Sequence, residues 1–168
     1  MTLNGVEFMK NKTQKVVFAS LFAAIVFVAT VIVKIPSPLK GYLNLGDCVV
    51  LLAGWALSPM YGFLAAGLGS AIADIQSGYM IYAPATFLIK GIMALVVSIA
   101  YVKYGKGLKT RIVSGLFAEI FMVFGYYIFE GFLYGFGPAL LNVLPNAFQG
   151  IVGLIIFIII SQKKRILK

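Results

Sequence analysis

The chain alternates long apolar runs with short polar breaks, and the runs have membrane length. Residues 16–33, VVFASLFAAIVFVATVIV, carry no charge. A helix crosses the hydrocarbon core in roughly 20 residues, so this run predicts helix 1 over about 14–34. Lys34-Ile-Pro36-Ser-Pro38 ends it, because two prolines cannot continue a helix. After the loop Leu39–Asn44, helix 2 is expected at roughly 45–57, ending at Ser58-Pro59, and helix 3 at roughly 60–75. Helix 4 follows Ala83-Pro84 over about 83–103, helix 5 covers about 110–133, and helix 6 covers about 139–161 with Pro145 inside. The reading is an all-α integral membrane bundle of six transmembrane helices with helices 2 and 3 short. Those two could also form one re-entrant hairpin.

Composition agrees. Hydrophobic residues are 61% and charged residues 11% of the 168, with a mean hydropathy of +1.00, far outside the range of soluble domains. Six helices and short loops use the whole length, so residues 1–168 form one transmembrane domain. A phosphate-binding GxxxxGK[ST] motif is absent; ATP-driven work would need another subunit. One cysteine and no histidine leave no internal disulfide and no Cys/His metal site. The first run is too long for a signal-peptide core and reads as a retained helix.

The net charge is +9, and eleven of the fourteen basic residues fall in three clusters outside the apolar runs. Lys10, Lys12 and Lys15 precede helix 1, Lys103, Lys106, Lys109 and Arg111 fall between helices 4 and 5, and Lys163, Lys164, Arg165 and Lys168 close the chain. Positive residues collect on the cytoplasmic side of membrane proteins. The distribution therefore predicts a multi-pass plasma-membrane protein with both ends inside: a cytoplasmic segment 1–13 and a basic cytoplasmic tail 162–168. No basic soluble face exists for nucleic acid.

With that orientation, chain position becomes depth at about 1.5 Å per residue. Asp74 comes at the outer end of helix 3, Glu130 near the outer end of helix 5 with Tyr126 and Tyr127 a turn deeper, and Lys90 about 10 Å below the outer end of helix 4. Asn142, Asn146 and Gln149 follow i, i+4, i+7 spacing and share one face of helix 6. Polar groups are costly in hydrocarbon and mark pathways or ligand sites. The expected site is a cup open to the outside, with Tyr82 and further tyrosines (Tyr42, Tyr79, Tyr134) to stack on a flat ring or to serve as an interfacial belt. Lys90 is either a ligand contact or an ion pair with Glu130 or Asp74. Asp47 reads as a water-exposed cap of helix 2. Glu119, alone in an inner half, reads as a structural pair or a contact with another subunit.

The ordered motifs resemble the substrate-binding S components of energy-coupling factor (ECF) vitamin transporters. They are Ala19-Ser-Leu-Phe-Ala23, Gly41-Tyr-Leu-Asn-Leu-Gly-Asp47, Ser58-Pro-Met-Tyr-Gly62, Gly69-Ser-Ala-Ile-Ala-Asp74, Tyr82-Ala-Pro-Ala-Thr-Phe-Leu-Ile-Lys90 and Pro145-Asn-Ala-Phe-Gln149. The resemblance implies a vitamin-binding subunit of an ABC-type importer without cofactor or enzymatic activity of its own. Its partners would be a transmembrane coupling protein, contacted through Ala19 and Ala23, and two cytoplasmic ATPases that hydrolyse ATP. The group around riboflavin, hydroxymethylpyrimidine and pyridoxine-like precursors is nearest. A self-sufficient secondary transporter or small channel using Asp74, Lys90 and Glu130 as relays is the alternative; the internal repeats usual in that class are not evident.

Overall fold

A computed structural model describes residues 11–37 and 42–162. Most of the expected cytoplasmic N-terminal segment, and all of the basic tail but Gln162, lie outside the described residues. The described residues form α1 (Lys12–Ile32), β1 (Ile35–Pro36), β2 (Tyr42–Leu43), α2 (Gly46–Ala56), α3 (Pro59–Gln76), α4 (Ala83–Tyr104), α5 (Leu108–Tyr134) and α6 (Phe136–Gln162). The prolines act as punctuation. Pro59 and Pro84 sit in the first turns of α3 and α4, where the missing N–H costs nothing. Pro145 is accommodated inside α6. The expected loop between helices 1 and 2 closes as a small antiparallel hairpin, Ile35 opposite Leu43 and Pro36 opposite Tyr42.

The chain is an all-α membrane protein. Four helices, α1, α4, α5 and α6, are long and apolar enough to cross a bilayer. Their outward faces carry large apolar side chains such as Val17, Leu88, Phe117 and Ile151. α2 behaves differently. At 11 residues it is about 16 Å long, too short to span, and it is apolar all round, as a helix enclosed by others is. Nine of its residues are buried. It packs against α1, α3, α4 and α6, while α1–α3, α3–α4, α4–α5 and α5–α6 are neighbours around it.

Small residues let this enclosure close. Without a hydrophobic drive between helices in lipid, van der Waals contact at short range holds the bundle, and small side chains allow it. A Cβ on Gly54 of α2 would lie 2.4 Å from the Ala94 carbonyl oxygen of α4, and one on Gly69 of α3 would lie 2.4 Å from the Ala23 carbonyl of α1. α3 accordingly turns Gly62, Ala65, Ala66, Gly69 and Ala73 inward and Met60, Leu64, Leu68 and Ile72 outward.

Gly54→Ala should force α2 and α4 apart and cost about 1–3 kcal/mol. Gly137→Ala, where an added Cβ meets nothing within 4 Å, should change stability by less than about 0.5 kcal/mol. Thermal unfolding of the detergent-solubilised variants checks this; equal midpoints for the two would refute the close-packing account.

Candidate ligand-binding site

The N-terminal ends of α2, α4 and α6 meet the C-terminal ends of α3 and α5 beside the hairpin. There the chain forms a cup of about 40 Å³ whose described lining residues all carry a polar side-chain group. α3 contributes Asp74, α4 contributes Thr86 and its N-cap residue Tyr82, and α5 contributes Tyr126 and Glu130. One face of α6 adds Asn142, Asn146 and Gln149, as the i, i+4, i+7 spacing predicts. The hairpin and the segments flanking it bring Ser37, Tyr42 and Asn44, and the α3–α4 turn brings Tyr79.

The hydrogen bonds join these elements pairwise. The Tyr42 hydroxyl donates to Asp74 Oδ1 at 2.8 Å. The Tyr82 hydroxyl donates to Glu130 Oε1 at 3.3 Å, and Asn142 Nδ2 donates to the same oxygen at 2.7 Å. The hydroxyls of Thr86 and Tyr126 are 3.0 Å apart. At the floor, Gln149 Oε1 accepts the backbone N–H of Asn44 at 2.8 Å, and its Nε2 donates to Asp47 Oδ2 at 2.7 Å. Burial, and then the neighbouring Asp74 carboxyl, raise the Tyr42 pKa well above the usual phenol range, so Tyr42 remains a donor. Tyr42 and Tyr79 rings lie 5.0 Å apart, and Tyr79 meets Tyr82 edge-on at 6.3 Å.

Two sequence expectations need correction. Asp47 is not a water-exposed cap; it is fully buried below the cup. The partner of Lys90 is Asp47, not Glu130 or Asp74. Lys90 therefore sits beneath the cup lining, with its ammonium 5.5 Å from the centre of the Tyr126 ring. The physical reason is the shortness of α2. Its first turn starts at the depth of Lys90 instead of at the membrane surface. Glu119 is also buried, yet neither carboxyl oxygen has a hydrogen-bond partner among the described residues. It packs on the α6 backbone at Gly150 and Gly153 and borders an apolar groove of about 600 Å³ between α5 and α6 that also holds Tyr127. Thr86 was missed, although it lies one turn from both Tyr82 and Lys90, a polar i, i+4, i+8 row on one helix face.

Ala19 and Ala23 lie half-buried against the cluster of Ala53, Leu57 and Ala65. Beside them, Ser20 and Ala24 are exposed on a groove bounded across α3 by Leu68 and Ile72.

A short helical bundle around a buried α2, with an all-polar cup at one end, defines a membrane-embedded binding protein. The sequence model of the ECF-type riboflavin transporter S component family matches residues 10–165; the chain belongs to that family, and so to the substrate-binding subunits of ECF transporters, which associate with transmembrane and ATPase modules. It is also 37% identical over 135 residues, 78% of this chain and 88% of the relative, to an uncharacterized protein in gap 3′ region of Pyrococcus woesei.

Removing one member of a buried ion pair leaves the other charge uncompensated, which costs about 3–5 kcal/mol. Lys90→Met and Asp47→Asn should each destabilise the protein on this scale, and the double variant by much less than their sum. A double-mutant cycle on unfolding in detergent measures the coupling; simple additivity would mean that the pair does not hold the bundle.

Proposed function

We propose that this subunit captures a flat, polar heteroaromatic vitamin or precursor, of the riboflavin, hydroxymethylpyrimidine or pyridoxine type, in the cup between α3, α4, α5, α6 and the hairpin. The observation that carries this reading is the lining itself. Tyr42, Tyr79, Tyr82 and Tyr126 offer ring faces and edges beside the amides of Asn142, Asn146 and Gln149. Aromatic contact secures a planar ring, and the amides both donate and accept hydrogen bonds toward its edge. Such groups cost free energy in a bilayer interior unless a ligand or partner uses them. Of the predicted set, Asp74, Tyr82, Tyr126, Glu130, Asn142, Asn146 and Gln149 would touch the ligand or its neighbours, and Lys90 would act from below through Asp47.

In this reading the cup opens to the outside, both chain ends are cytoplasmic, and the ATP is hydrolysed by two ATPases joined through a transmembrane coupling protein. The coupling protein would seat on α1 along the Ala19–Ala23 face and the groove beside it. Small side chains there admit close helix approach.

Calorimetric titration of the purified subunit alone, without ATP, should give saturable binding of one member of a panel of these compounds. Asn146→Ala should weaken it at least about tenfold, the scale of a lost ligand hydrogen bond. Absence of binding across the panel, or unchanged affinity in that variant, would contradict the proposal. Ser20→Trp and Ala24→Trp should block co-purification with the coupling protein and leave ligand affinity within about twofold, since both are exposed away from the cup. Intact assembly would move the docking face elsewhere.

A further inference from the structure

The charged members of the cup lining are Asp74 and Glu130, both acidic. Each is buried, at 6% and 2% exposure. Each has one oxygen engaged by the protein and one without a partner among the described residues: Oδ2 of Asp74 and Oε2 of Glu130. Leaving a buried acceptor unmatched is costly, and two on opposite sides of one cup point to something that supplies donors there. Among the described residues, the two cations nearest the cup, Lys90 and Lys34, are not in its lining. Lys90 is paired with Asp47 beneath the lining. Lys34 lies outside the lining, its ammonium 5.6 Å from the centre of the Tyr42 ring.

We infer that Asp74 and Glu130 form a paired acceptor that selects ligands presenting hydroxyl or amine donors into the cup and rejects the same ligands once those hydroxyls carry a phosphate. The inference rests on the cup being the ligand site. A hydroxyl donating to a carboxyl oxygen makes a charge-assisted bond when that group is ionised. A phosphate monoester in the same place removes the donor and adds roughly −1.5 to −2 charges opposite two carboxyl groups, with no cation among the described lining residues. The chemical class selected is thus a neutral, hydroxyl-bearing heteroaromatic or an organic cation, taken up before phosphorylation. A phosphorylating reaction on the ligand, where one occurs, would follow transport.

The test is calorimetry on the purified full chain with matched pairs: riboflavin and its 5′-phosphate, pyridoxine and its 5′-phosphate, hydroxymethylpyrimidine and its phosphate. In the pair that binds, the phosphate ester should be weaker by at least about tenfold, since like-charge juxtaposition is strongly unfavourable. Asp74→Asn and Glu130→Gln should narrow that ratio, because each keeps the shape and removes the acid. Equal or tighter binding of the ester by the unmodified protein overturns the inference, and that comparison needs no variant to fold. A ratio unchanged in both variants overturns the assignment to these two carboxyls. If no member of any pair binds, the reading of the cup as a site for these ligands falls, and this inference falls with it.

Discussion

An ammonium group inside a helical bundle at bilayer depth must have a counter-charge, and Lys90 obtains it from Asp47. That single requirement organises the molecule. To reach Lys90, the first turn of α2 has to lie well below the membrane surface, which draws α2 into the centre among α1, α3, α4 and α6. The second oxygen of Asp47 accepts from Gln149, which ties α6 to the same point, and the other end of Gln149 holds the hairpin through the Asn44 N–H. One ion pair thus links α4, α2, α6 and the hairpin, and glycines such as Gly54 and Gly153 let the backbones come close enough for it. A pair of this kind contributes little net stability compared with apolar packing. Its effect is to fix depth and register.

Above this fixed floor the chemistry changes character. At the floor, both oxygens of Asp47 are engaged, by Lys90 and by Gln149; in the lining, Asp74 Oδ2 and Glu130 Oε2 have no hydrogen-bond partner among the described residues. The cup encloses about 40 Å³, below the roughly 300–1,000 Å³ of ligand pockets. Two hydrogen bonds join the hairpin to the helices here, Tyr42 to Asp74 in the lining and Asn44 to Gln149 at the floor. Each is worth only about 0.5–1.5 kcal/mol net.

Much of this was legible in the sequence because it depends on local physics. Prolines at 36, 59 and 84 end or begin helices wherever they occur, and uncharged runs of about 20 residues are helices in a membrane. The Asn142, Asn146, Gln149 stripe follows from helix periodicity alone. What depended on depth was less legible. Converting helix order to depth puts Asp47 near the surface, and nothing local in Gly46–Ala56 says that α2 begins at the level of Lys90. The partner of Lys90 was open for the same reason: several carboxyls were candidates, and only the three-dimensional path of the hairpin decides among them. Thr86, by contrast, could have been found from its one-turn spacing to Tyr82 and Lys90.

The central claim is that the polar end of the bundle is an outward-facing ligand cup. Asn146→Cys in intact cells, labelled with a membrane-impermeant maleimide, tests it most directly, because the native Cys48 is only 7% exposed. The account predicts labelling from the outside and protection from it by the bound vitamin. Labelling only after the cytoplasmic side is exposed, or outside labelling that no ligand of the panel suppresses, would contradict it.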